Sequence, residues 1–155
     1  MALQNNIISG PNTDINYGAY TNPGQTFEWK FTVTLADIVA LGAFTSGDVI
    51  LIKIPARAYI THTFTKHSTA VAGPSISACT ALVQTANGTR GAGTLDVFAA
   101  PGAAGYDLFV NPTATLKESV VAVTPVFLHI VATGANLSVA TAGQIDVVIG
   151  YRVLP

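Results

Sequence analysis

The chain of 155 residues fits one domain that buries roughly two thirds of its unfolded surface. Half of its residues are apolar and only 10 % are charged, against about 25 % in an average soluble domain. The net charge is −1, and the seven basic residues are scattered from Lys30 to Arg152, which excludes the clustered Lys and Arg that a phosphate backbone requires.

So little charge leaves Thr, Ser, Asn, Gln and Gly to cover the surface, or leaves that task to other protein chains. The composition therefore points toward an assembly, with no nucleic acid as main partner. The start, "MALQNN", has no basic residue and no apolar block after it, so no signal peptide is expected. The single cysteine, Cys79, allows no intrachain disulfide and reads as a small buried apolar residue.

In chain order, residues 1–26 show neither helical nor strand periodicity. Turn signals at Gly10-Pro11, Gly18 and "TNPG" alternate with Ile7, Ile8, Ile15, Tyr17 and Tyr20. That mixture predicts an extended arm that docks on another surface through those five residues, ahead of a domain over 27–155. "FEWKFTVT" then alternates strictly: Phe27, Trp29, Phe31 and Val33 face a core, with Glu28, Lys30, Thr32 and Thr34 toward water. "LADIVALGAF" makes a helical turn or two, closed by Gly42. "GDVILIKIP" is a mostly apolar strand ending at Pro55.

"AYITHTFTK" alternates again, with Tyr59, Thr61, Thr63 and Thr65 on one face and Ile60, His62, Phe64 and Lys66 on the other. A strand follows near Ser75 to Gln84, then a loop, "ANGTRGAG", holding the hairpin dipeptide Asn87-Gly88. "TLDVFAA" and "YDLFV" read as short strands. "VVAVT" and "VFLHIVAT" flank Pro125, which is expected to break the ladder or sit at an edge. "GANLSVATAG" reads as a hairpin leading into the last strand, "QIDVVIGYRVL". There Ile145, Val147, Ile149 and Tyr151 share one face, and Asp146, Val148, Gly150 and Arg152 the other. Eight or nine short strands with frequent turns make an all-β protein, an antiparallel β-sandwich or barrel.

The candidate chemistry is thin. His62 and His67 are five apart, so a strand points them to opposite faces, and His129 sits in an apolar strand with no nearby carboxylate in sequence. All three read as histidines satisfied by hydrogen bonds rather than metal ligands. No GxSxG elbow is present. Asp96 and Asp107 flank a Gly/Pro loop but carry no sign of a catalytic pair. The uncharged run Ser119–Gln144 holds Pro125, His129, Gly134, Asn136 and Gly143, which fits two buried strands and a turn better than a membrane span. Tyr17, Tyr20, Tyr59, Tyr106 and Tyr151 offer a sugar platform as an alternative to interface packing. The expectation is a protein without catalytic residues, cofactor, metal or membrane contact.

Two stretches carry a resemblance. "GDVILIKIPARAYIT", a buried strand closed by Ile-Pro and a short turn into an alternating strand, and "GANLSVATAGQIDVVIGYRVL" at the end are similar to small structural proteins of tailed-bacteriophage virions. The chain most resembles capsid decoration, or cement, proteins with a jelly-roll-like sandwich. The resemblance implies a homo-oligomer, a trimer, seated on the outer surface of the shell at junctions of the major capsid protein, with terminal arms in contact with capsid or neighbours. It transfers no site residues, because such proteins act through surfaces. A ligand-binding or receptor-binding sandwich, as in head fibres, tails or lectins, is the other class.

Overall fold

The computed structural model describes residues 26–85, 94–100, 107–109 and 122–154. The arm and its Ile7, Ile8, Ile15, Tyr17 and Tyr20 lie outside the described residues, as do Tyr106 and the Asn87-Gly88 loop. The strands are β1 (Thr26–Val33), β2 (Ser46–Ile54), β3 (Ala58–Ala72), β4 (Ala78–Thr85), β5 (Leu95–Asp96), β6 (Asp107–Phe109), β7 (Thr124–Thr133) and β8 (Ala142–Val153). One short helix, α1 (Leu35–Val39), follows β1. Asp37 starts it, its carboxylate accepting hydrogen bonds from the Thr34 backbone N–H at 2.8 Å and the Thr34 hydroxyl at 2.7 Å. Gly42, at φ +81°, turns the chain away from it.

Among the described residues all pairings are antiparallel and build two four-stranded sheets, ordered β1-β8-β3-β6 and β2-β7-β4-β5. This is the strand order of a jelly roll, with each connection crossing from one sheet to the other except β4 to β5. Between the sheets, Val33, Ile145, Val147, Ile149 and Tyr151 meet Val49, Ile52, Ile54, Val126, Leu128 and Ile130, all buried. The last strand is central, between β1 and β3, as its alternation predicts. Phe27 lies opposite Tyr151 in the ladder and stacks on it, ring centroids 5.3 Å apart.

Several expectations are corrected. β3 does not keep one alternation: a bulge at Thr61, between the pairs Ile60↔Tyr151 and His62↔Gly150, takes up an extra residue. Ile60 therefore shares the inner face with Thr63, Thr65 and His67, all buried, and the predicted grouping of Thr63 and Thr65 with Tyr59 fails. Pro125 lies neither in a break nor on an edge strand. It is the second residue of the central β7, opposite Lys53, and the register with β4 ends one residue away at Thr85↔Val126.

The expected final hairpin is absent, because β7 and β8 belong to different sheets. Gly134 to Thr141 arches between them through a 3-10 turn at Leu137–Val139. β8 already has a neighbour on each side, which leaves β7 no edge to pair with. β4 starts at Ala78, three residues later than expected, because Pro74 and Ser75 form a turn, Ser75 at φ +63°. Of "TLDVFAA" only Leu95–Asp96 is strand; Asp96 Oδ1 then accepts the Phe98 and Ala99 N–H groups and bends the chain.

Candidate interaction surfaces

Each sheet turns one face to the core and one outward, so the outward residues define what the molecule can touch. On the first sheet the rows follow the register. Glu28, Gly150 and His62 lie in one row, Thr32, Asp146 and Lys66 in another. The His62 ring lies over Gly150 and its Nε2 meets Glu28 Oε2 at 3.1 Å. His62 thus spans the central strand to tie β3 to the edge strand β1, and only a glycine leaves room for the ring. In the other row the Thr32 hydroxyl donates to Asp146 Oδ1 at 2.8 Å, with Lys66 Nζ 3.8 Å from Oδ2.

The outward face of the second sheet holds a polar cluster that sequence reading missed. His129 Nδ1 lies 2.6 Å from Asp48 Oδ1, and the Gln84 amide donates to the same oxygen at 3.2 Å. Asp48 lies directly opposite His129 in the ladder, and Gln84 reaches in from β4. The pair is 81 residues apart in sequence; only knowledge that β2 and β7 pair in this register would have found it. Leu82 and Phe127 are buried on this same face, outside the core between the sheets.

The other sequence candidates are placed as follows. His62 and His67 point to opposite faces, as expected. His67 is buried on the inner face, with Nε2 2.8 Å from the Ala99 carbonyl. Cys79 is buried, and burial first, then the negative charge of Asp96, pushes its thiol up to about 12. Asp96 and Asp107 stand on strands of different sheets. Tyr151 is buried in the core, so it supplies no sugar platform; Tyr59 is half-buried beside Arg152 in the register. Among the described residues no group of three His, Cys, Asp or Glu is placed to hold a metal ion, and no helix is long and apolar enough to cross a membrane.

Among the described residues the most exposed large apolar group is Phe44, 68 % accessible, on the loop after α1, with the exposed Val139 on the 3-10 turn. This loop is well tied. Phe44 O accepts the Leu137 N–H at 2.9 Å, Gly42 O accepts Ser138 N–H at 3.2 Å, and Thr45 O accepts Ala132 N–H at 2.7 Å. Phe44 is thus an aromatic ring held toward water on a backbone fixed by its neighbours. At the opposite end of the sandwich, Val123 and Leu154 are also exposed.

These features define the class of the molecule: an all-β jelly-roll sandwich whose outward polar groups tie strands together. No protein-family model matches the chain, and no curated protein does. Among solved structures, the chain is similar to one described as the acidic stable capsid structure of Helicobacter pylori bacteriophage KHP30. The two share 13 % identity with a TM-score of 0.48, over 86 % of this chain and 92 % of that chain.

Proposed function

We propose that this is a non-enzymatic structural virion protein that binds and stabilises a bacteriophage capsid shell as a decoration, or cement, protein. It acts as a closed oligomer, a trimer, on the outer surface, with the major capsid protein as its partner. The observation that carries this reading is Phe44: an aromatic side chain, 68 % exposed, on a loop held by cross-loop backbone hydrogen bonds. An exposed aromatic on a fixed backbone is the kind of anchor that protein interfaces use. The sparse charge of the chain lowers the desolvation cost of such contacts. The resemblance of Gly47–Thr61 and Gly134–Leu154 to small structural proteins of tailed-bacteriophage virions, and of the chain most of all to decoration proteins, supports the choice of partner.

The mechanism is linkage. A protein that binds the assembled lattice and not free subunits shifts the equilibrium toward the lattice. A trimer that touches several subunits multiplies weak contacts through effective concentration. The test is the thermal stability of particles with and without the protein, alongside its mass in solution. A higher breakdown temperature with the protein bound, and a trimeric mass, support the reading. A monomer whose removal leaves particle stability unchanged overturns it in favour of a receptor-binding or ligand-binding module.

A further inference from the structure

An outward residue of a two-layer sandwich keeps part of its surface in water unless something lies over it. On the second sheet that rule is broken toward one end. Phe127 on β7 and Leu82 on β4 point away from the core, yet they are only 6 % and 8 % exposed, and Gln84 beside them is buried as well. Toward the other end of the same face the burial is lost. Thr80 and Val131 are half-buried there, and Ser46, Ala78 and Thr133 are exposed. Among the described residues the strands form two sheets, and the facing sheet lies on the inner side of these groups.

The buried part lies toward the end of the sandwich where the chain enters β1. Thr26 pairs with Arg152, and Ala58, just past the turn that closes β2, pairs with Val153. Lys53 pairs with Pro125 at the start of β7, two residues before Phe127. β3 meets β4 across the core, which aligns the two sheet orders and sets the edge strand β1 over the edge strand β2. A chain running back from Thr26 therefore comes to the β2 edge, and past it to the outward face. Residues 1–25, extended at about 3.3 Å each, reach roughly 80 Å, whereas four strands about 4.8 Å apart span roughly 15 Å. Their composition suits a cover: Ile7, Ile8, Ile15, Tyr17 and Tyr20 are apolar or aromatic, and Asp14 is the one charged side chain. Asp48 on this face is already engaged by His129 and Gln84, so a cover need not supply its partner. Two other segments leave the described strands at this end. Residues 86–93 hold no apolar residue larger than alanine, and residues 110–121 carry Lys117 and Glu118.

We infer that the outward face of the second sheet is the docking surface for residues 1–25 of the same chain, whose apolar side chains pack on Phe127 and Leu82. Both partners gain by it, because each removes from water apolar surface that the two-layer core cannot take. Ile50, half-buried and opposite Phe127 in the ladder, extends the contact to the edge over which the arm arrives. Phe44 stands at the opposite end of the sandwich and takes no part, so this docking is independent of the shell-binding reading.

The test is paramagnetic broadening of side-chain NMR signals in the full chain, with a nitroxide carried on Thr13→Cys. Cys79 is buried and stays unlabelled in the folded protein. The Leu82 methyl and Phe127 ring signals should broaden several-fold, and the Val148 methyls, outward on the first sheet opposite Lys30, should not. Adding Ile7→Ser, Ile8→Ser and Ile15→Ser to the labelled chain should relieve the broadening, with a thermal melt to check that the variant folds. Chains refolded from a mixture, one carrying the nitroxide and the other only the isotopes, should show no broadening. A nitroxide on Thr115→Cys should broaden Leu82 and Phe127 less than the one on Thr13→Cys. Leu82 and Phe127 signals that stay sharp with the Thr13→Cys label overturn the docking. Broadening that appears only in the mixed sample gives the face to the arm of a second copy and overturns docking within the chain. Stronger broadening from Thr115→Cys gives the face to residues 110–121 and overturns the arm as its occupant. No arm of the test involves capsid particles, so failure of the shell-binding reading would leave these outcomes untouched.

Discussion

A glycine in the middle of a strand ordinarily weakens it, because it costs backbone entropy and packs nothing. Gly150 sits in the central strand β8 with the His62 ring over it, and a Cβ there would run into that ring. Gly150→Ala should therefore expel the imidazole from its contact with Glu28. Glu28 is 65 % exposed and His62 35 %, so the pair itself contributes little, roughly 0–1 kcal/mol. The steric term gives the sign. In the wild-type background the substitution should lower stability, whereas in a His62→Ala background alanine gains its strand propensity and should be neutral or stabilising. Thermal melts of the two singles and the double give the coupling; equal effects in both backgrounds would show that the ring does not occupy that space. Cys79 gives a second test. Its thiol is pushed up to about 12 from 9.0, so the folded chain keeps its proton where the unfolded chain loses it. Stability from this group is whole below about 9 and is lost as pH rises toward about 12. A thiol reagent at mild alkaline pH should label Cys79 only on unfolding, and Cys79→Ala should flatten the alkaline loss of stability.

At the scale of elements, burial rather than size should rank the strand residues. Ile149 and Trp29 face each other in the ladder, and both read from sequence as core. The structure separates them: Ile149 is fully buried in the central strand, while Trp29 is half-buried on the edge strand and packs against the core from the side. Ile149→Ala should cost about 2–5 kcal/mol, and Trp29→Ala less, although tryptophan is the larger side chain. The reverse order in denaturant melts would show β1 to be deeper in the core than this topology allows. The contrast also shows what sequence could and could not convey. The alternation of β1 and β8 was legible because an unbulged strand with one buried face writes its period directly into the chain. β3 misled because the bulge at Thr61 shifts the period by one residue, and bulges leave no residue signature among Thr and His. The link from β7 to β8 misled because a turn between strands looks the same whether they pair or cross to another sheet. The contact of His129 with Asp48 was illegible for a simpler reason: long-range register is not encoded locally. For the interface candidates, the arm residues stood out by composition, whereas Phe44 looked like the end of a helical segment and revealed itself only by exposure.

For the whole molecule, folding and assembly should be separable at Phe44. Its ring is 68 % exposed and contributes little to the core, while its backbone is held by bonds that do not depend on the side chain. Phe44→Ser should therefore leave the melting temperature of the isolated chain within about 0.5 kcal/mol of wild type in stability. If the ring is an interface anchor, the same substitution should remove more than about 2 kcal/mol of binding, the scale of a hot spot. A cement protein would then fail to raise the breakdown temperature of its shell at concentrations where the wild type does so. That loss should appear chiefly as faster dissociation, because substitutions within an interface act mainly on the off-rate. Particle stability and binding kinetics measured on Phe44→Ser beside wild type check both effects. A Phe44→Ser protein that protects the shell as well as wild type would remove the aromatic anchor from the interface, and with it the observation on which the structural role rests.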